Sequence, residues 1–134
     1  MATWTKFNVL PENLCEKMHD FGADALKVAL TNTAPTAADD TLSDITQIAA
    51  TGGYLPATVT VTSSAQSGGT YSLVVDPITW TASGADFAPF RYLVLYNDTP
   101  VSKPLIAYID YGASYTLPSG QPFTHQAGTI LTIA

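Results

Sequence analysis

Two apolar runs late in the chain predict the central strands of a β structure. The runs are Phe90–Tyr96 and Leu105–Tyr111, and a polar connection containing two prolines joins them. Because side chains alternate between the two faces of a strand, apolar residues at successive positions make both faces apolar. A strand of this kind is buried on both sides. We therefore expect the two runs in the middle of a two-layer β structure.

Shorter segments predict additional strands before and after this pair. Leu26–Thr31 alternates large apolar residues with smaller or polar ones, which is typical of a half-buried strand. Gly68 and Gly69 are suited to a tight hairpin turn, because glycine readily adopts positive φ. The other predicted strands are Thr58–Thr62, Tyr71–Val75, Ile78–Ala82, Phe123–Gln126 and Thr129–Ala134.

One amphipathic helix is predicted near the N-terminus, within residues 9–22. Pro11 suits a first helical position and Gly22 is placed to end the helix. Its apolar stripe consists of Leu10, Leu14, Cys15, Met18 and Phe21. This arrangement predicts that the helix packs on a sheet, with Cys15 buried and His19 on the polar side.

The chain of 134 residues is expected to form a single domain with one core. We divide it into an N-terminal arm of residues 1–8, a helix at 9–22 and a β-sandwich at 23–134. The segment Ser43–Ala50 is expected to contain a helical turn. The predicted fold class is mainly β, sandwich or jelly-roll-like, with one N-terminal α-helix packed on the sheet.

Charge limits the classes of partner. Charged residues make up 12% of the chain, the formal net charge is −6, and the five cations are scattered along the sequence. Nucleic-acid binding needs clustered cations, so no nucleic-acid partner is expected. No apolar run reaches the roughly 18 residues of a membrane span, so no membrane partner is expected either. The low charge is consistent with an oligomer or a permanent partner, and equally with a plain Thr- and Ser-rich surface.

Candidate catalytic and metal-binding patterns are weak. The histidines are His19 and His125, and Gly112–Thr116 lacks the second glycine of a nucleophile elbow. Asp39, Asp40 and Asp44 suggest either a weak calcium site or, as we favour, a solvated acidic loop. We therefore expect no enzymatic activity, no catalytic or metal-binding residues and no cofactor.

Five segments of the chain resemble a family of small structural proteins of tailed bacteriophages. In order they are TWTKFNVL, LKVALTNTAP, SSAQSGGTYSLVV, FRYLVLYND and LIAYIDYG. The resemblance implies a non-enzymatic virion component, a capsid decoration (cement) protein on the outer shell. It also implies the major capsid protein and further copies of the chain, as a homodimer or homotrimer, as partners. The implied location is the virion, assembled in the host cytoplasm.

Two other functions stay open at this point. A tail or neck protein of the virion would fit the same composition. A glycan-binding β-sandwich module would use stacked aromatic residues, for which the candidates are Trp4, Trp80, Tyr54, Tyr71, Tyr92, Tyr108 and Tyr111.

The candidate partner contacts are Trp4 and Phe7, in the N-terminal arm. Aromatic side chains on a mobile arm are efficient anchors once a partner buries them. The alternative is that Trp4 and Phe7 attach the N-terminal segment to the protein's own sheet.

Overall fold

The computed structural model describes residues 3–134, so Met1 and Ala2 of the predicted arm lie outside the described residues. These residues form ten strands, one α-helix and two short 3₁₀ turns. The elements are β1 (Trp4–Lys6), α1 (Leu10–Cys15), β2 (Leu26–Thr31), β3 (Ala57–Thr58), β4 (Val61–Ser67), β5 (Thr70–Val75), β6 (Ile78–Thr81), β7 (Phe90–Asn97), β8 (Leu105–Tyr115), β9 (Pro122–His125) and β10 (Gly128–Ile133). None of the helices in this part of the chain is long and apolar enough to cross a membrane.

The strands form three antiparallel sheets. The largest has five strands in the order β1-β8-β7-β2-β3, which places β7 at its centre. The second sheet has the order β10-β5-β4, and β6 pairs with β9 in the third. The mainly β fold with one short N-terminal helix is confirmed.

The central strand β7 is buried on both faces, as the sequence predicted. On one face Leu93 and Leu95 belong to the larger hydrophobic cluster. On the other face Val94 and Tyr96 join Phe7 in a smaller cluster. Because apolar residues point in both directions from β7, the rest of the chain must cover two faces of the same sheet.

The larger cluster contains side chains from all three sheets. Leu73 comes from the second sheet and Trp80 from the third, and both are buried with Leu95 of the first. The smaller cluster lies on the opposite face, where Leu42 and Ile45 of the connection between β2 and β3 pack against it.

Most strand predictions agree with the structure. Leu26–Thr31 forms β2 with the predicted bounds, but it is buried on both faces and not half-buried as predicted, because Ala29 joins the smaller cluster and Leu30 the larger one. The predicted turn residues Gly68 and Gly69 have φ values of 57° and 87°. The predicted strand Thr58–Thr62 is wrong, because this region contains the end of β3 and the start of the longer β4. The helical turn predicted at Ser43–Ala50 is shorter and earlier, a 3₁₀ turn at Leu42–Asp44.

The helix is much shorter than predicted. It ends at Cys15, and Lys17 adopts a left-handed φ of 68°. The N–H of Lys17 donates to the carbonyl of Leu14, and the N–H of Met18 donates to that of Asn13. These two bonds form a Schellman motif, which usually has glycine where this chain has Lys17. The early end is the reason that two predictions are wrong: Cys15 is exposed, and His19 is buried outside the helix.

Leu95→Ala is expected to lower the free energy of unfolding by about 2–5 kcal/mol, because it leaves a cavity beside β7. Leu55→Ala removes the same atoms from a side chain that is 74% exposed, and is expected to change stability by less than about 0.5 kcal/mol. Urea denaturation of both variants tests this. Equal losses would contradict the placement of β7 at the centre of the core.

Candidate functional site

The predicted N-terminal arm is a strand of the protein's own sheet. Trp4 pairs with Ile109 and Lys6 with Ala107, so β1 forms one edge of the five-stranded sheet. Phe7 is fully buried, and its N–H donates to the carbonyl of Ile106. Its side chain is therefore not available to a partner in this structure, whereas Trp4 is half-buried and remains accessible.

A histidine from the other end of the chain holds Trp4. The indole Nε1 of Trp4 lies 3.3 Å from Nε2 of His125, and the two rings meet edge to face with centroids 5.4 Å apart. The hydroxyl of Tyr111 contacts Nδ1 of the same imidazole. We call Trp4, His125 and Tyr111 the histidine latch. It joins β1, β9 and β8.

The partners of His125 determine its protonation state. An indole N–H can only donate, so Nε2 must be the acceptor and the ring proton lies on Nδ1, from which it is donated to the Tyr111 oxygen. The imidazole is therefore neutral. Burial lowers the pKa of His125 and raises the pKa of Tyr111 to about 12, which favours the neutral form of both groups.

Phe123 packs against the latch through its contact with Tyr111. Its ring lies 5.6 Å from that of Tyr111, 6.1 Å from that of Tyr115 and 5.0 Å from that of Phe90, between centroids. These contacts hold β9 against β7 and β8 and fix the position of His125. Because both nitrogens of His125 are already hydrogen-bonded, the imidazole has a structural role at neutral pH.

A cleft of about 520 Å³ opens beside the latch, between β1 and β10. Ile109 and Leu131 form part of its apolar wall, and Lys6 is the single Lys, Arg, Asp or Glu among its lining residues. Each of the two strands pairs with a neighbour on its other side, β1 with β8 and β10 with β5. The chemistry of the cleft therefore suits non-covalent contact with apolar and hydrogen-bonding groups.

The other histidine, His19, is buried and attaches the segment after α1 to the end of β7. The Nδ2 group of Asn97 lies 3.0 Å from Nδ1 of His19 and 2.6 Å from a carboxylate oxygen of Asp24. Burial lowers the pKa of His19, and the charge of Asp24 opposes this shift. The ring of His19 stacks on Phe21 with centroids 5.2 Å apart. These contacts hold the connection between α1 and β2 against the end of β7.

The acidic loop uses its carboxylates for local hydrogen bonds. Asp39 accepts the N–H of Thr36, and Asp44 accepts those of Asp40 and Thr41. These bonds lower the pKa of Asp44. Residues 3–134 contain no group of three His, Cys, Asp or Glu side chains arranged to hold a metal.

The aromatic residues considered for glycan stacking do not share one surface. Trp80, Tyr54 and Tyr92 are buried. Trp4 and Tyr111 are brought together because both contact His125. His125 was not connected with either residue in the predictions from sequence. No local signal identifies this group, because His125 is 121 positions from Trp4.

Acidification is expected to destabilise the protein between about pH 7 and pH 5, through buried His19 and half-buried His125. Both have a pKa below the usual 6.5, so the unfolded chain binds more protons than the folded protein in this range. The stabilisation is complete above about pH 6.5 and is lost as the pH falls towards the lowered pKa values. His125→Gln keeps an acceptor for Trp4 and should make the pH dependence shallower.

Chemical denaturation at a series of pH values measures this effect. Cationic partners lower the pKa values of Asp98 and Asp110 from their usual 3.8. Protonation of these two carboxylates therefore changes stability only at a pH below this window. The same pH dependence in the wild type and in His125→Gln would contradict the assigned protonation state.

Comparisons of the chain with protein-family models, with curated proteins and with solved structures found no match.

Proposed function

We propose that the chain is a non-enzymatic structural protein of a phage virion, a capsid decoration (cement) protein bound to the outer shell. The support is the resemblance of five segments, in order, to small virion proteins. In the structure these segments fall on β1, β2, the β4–β5 hairpin, β7 and β8. The resemblance therefore concerns the strands that build the core. Under this proposal the major capsid protein is the partner and the virion is the location.

We further infer that the three sheets together form a β-sandwich of the jelly-roll type. The support is the larger hydrophobic cluster, in which one face of the five-stranded sheet shares buried side chains with the two smaller sheets. Two sheets that pack face to face in this way provide a rigid body with exposed edges and end loops. A decoration protein needs such rigidity, because each copy must repeat the same contact on the shell.

The observation that supports attachment is an aromatic surface at one end of β8. Tyr111 and Tyr115 are 39% and 46% exposed, and half-buried Trp4 joins them through the latch. We call Trp4, Tyr111 and Tyr115 the aromatic surface. Tyrosine and tryptophan are enriched at the energetic centres of protein interfaces. Phe123 and His125 fix these rings, so little conformational freedom is lost on binding.

The carboxylate beside Tyr111 in sequence is balanced by a cation. Arg91 makes two hydrogen bonds to the Asp110 carboxylate, with N–O distances of 2.7 and 3.0 Å. This bidentate pair neutralises the carboxylate closest in sequence to Tyr111. The shell therefore meets a neutral aromatic surface on a protein whose formal net charge is −6.

Tyr115→Ser is expected to weaken attachment to purified shells by about tenfold or more, because it removes an exposed aromatic anchor. Val101→Ser is the matched control. Val101 is 99% exposed and precedes β8, so it lies at the opposite end of this strand from Tyr115. Co-sedimentation of each variant with shells over a concentration series gives the affinities.

Equal affinities for the wild type and Tyr115→Ser would exclude the aromatic surface as the attachment site. An equal loss in Val101→Ser would show that general surface polarity, and not this surface, governs binding. Both variants replace an exposed side chain, and circular dichroism verifies that each remains folded.

Gold-labelled antibody on intact particles tests the location itself. Label spread over the head is the expected result in electron micrographs, because decoration proteins occupy many equivalent sites. Label confined to the tail or neck, or particles that lack the protein, would contradict the proposal. Particles of a mutant phage that lacks the gene control for antibody specificity.

A further inference from the structure

Strand β4 forms an open outer edge of the second sheet. The sheet order is β10-β5-β4, so β4 pairs with β5 on one side, and no strand among residues 3–134 pairs with its other side. Five of its seven residues are exposed. An edge of this length presents a row of unpaired N–H and C=O groups to its surroundings.

This edge lacks most of the features that normally keep strand edges apart, and its one irregularity, a register shift between Val61 and Ser63, lies at the end of β4 away from the hairpin turn. Proteins protect an edge with charged side chains, with proline or by making the edge strand very short. No charged residue occurs between Asp44 and Asp76, and β4 contains no proline. The other edge strands are all shorter than β4. The longest of them, β10, has six residues, but it faces β1 across the cleft. Among the described strands, β4 is therefore the longest freely exposed edge.

The hairpin turn determines which backbone groups of β4 point outward. Ser67 pairs with Thr70 across the two-residue Gly68-Gly69 turn, and both glycines have the positive φ of a type I′ turn. The residues that flank such a turn bond to each other, and bonded positions then alternate along the ladder. Ser67, Ala65 and Ser63 therefore bond to β5. The N–H and C=O groups of Gln66 and Ser64 point away from it.

We propose that this edge pairs with the β4 edge of a second copy of the chain, antiparallel, across a two-fold axis at Ala65. Ser64 of each copy then lies opposite Gln66 of the other, and these positions exchange their outward hydrogen bonds. Ala65 lies opposite Ala65, in a pair without direct hydrogen bonds, where the Cα atoms of antiparallel strands are closest. The side chain of alanine is a single methyl group, so it allows the two Cα atoms to come this close.

The edge is self-complementary about Ala65 and uncharged, which suits a second copy of the chain as the occupant. Two molecules that each have a net charge of −6 repel each other wherever their acidic surfaces meet. The sheet β10-β5-β4 contains no Lys, Arg, Asp or Glu, so two copies can meet there with little repulsion. The polar side chains of Thr62, Ser63 and Gln66 project from the faces of the joined sheets, where water can still solvate them.

This interface does not depend on the proposed function. The aromatic surface lies on β1 and β8, in a different sheet from β4. A failure of shell binding would therefore leave the pairing of β4 unaffected, and loss of pairing would leave the attachment of a single copy unaffected.

Ala65→Lys tests the interface, because the two-fold axis brings the two introduced charges together. Sedimentation equilibrium over a concentration series is expected to show a dimer of the wild type and an increase of about tenfold or more in the dissociation constant of the variant. The matched control is Thr132→Lys, an exposed position on β10 at the other edge of the same sheet, which should dimerise like the wild type. A monomeric wild type, an unchanged Ala65→Lys or an equal effect of Thr132→Lys would overturn the proposal.

A charge-swap experiment tests the axis and shows that the variants fold. Ala65→Lys and Ala65→Glu should each dimerise more weakly than the wild type when alone. An equimolar mixture of the two should form a heterodimer, because the opposite charges then meet at the axis. Failure of the mixture to dimerise would overturn the two-fold register.

Cross-linking gives an independent readout of the same register. Ala65→Cys in a Cys15→Ser background should form a disulfide between two copies under mild oxidation, because the expected Cα separation of about 4.5 Å lies within the disulfide range. The absence of a cross-linked dimer would also overturn the register. The Cys15→Ser change is needed because Cys15 is exposed.

Discussion

The burial of β7 on both faces is the constraint on which the rest of the structure depends. A central strand with apolar residues in both directions stays out of water only if the chain supplies two separate covers. The two smaller sheets cover the face that contains Leu95, where the larger cluster forms. Phe7 and the connection with Leu42 and Ile45 cover the other. The N-terminal segment is therefore part of the core, which is why Phe7 is a packing residue.

Strand positions were predictable because their signal is local. The alternation in Leu26–Thr31 and the two-sided apolar pattern of Phe90–Tyr96 are set by residues within one strand, and both strands lie where they were expected, although Leu26–Thr31 is buried on both faces. The end of the helix was not predictable in the same way. The left-handed C′ position is usually glycine, and here it is Lys17, so the sequence pattern pointed to Gly22 instead. The wrong placements of Cys15 and His19 both follow from that single residue.

The latch was beyond sequence reasoning for a different reason. Trp4, Tyr111 and His125 come from three strands, and pairing of β1 with β8 and of β6 with β9 brings them together. Their chemistry depends on this arrangement, because the indole N–H can only donate and so fixes the tautomer of the imidazole. The contacts of Asn97 likewise depend on tertiary structure, because its amide joins His19 and Asp24, which are distant in sequence. A local pattern can identify a strand, but only tertiary structure specifies which polar groups meet.

The distribution of charge separates the two faces that we assign to partners. Three of the five cations are paired with acids on the five-stranded sheet or on the connection between β7 and β8: Lys27 and Lys103 with Asp98, and Arg91 with Asp110. The acidic excess therefore lies largely in loops, while the sheet β10-β5-β4 has no charged residue. Repulsion between copies is weak along that sheet, whose open edge also offers unpaired backbone groups. A copy paired there keeps its aromatic surface free on β8, so one molecule has room for both contacts.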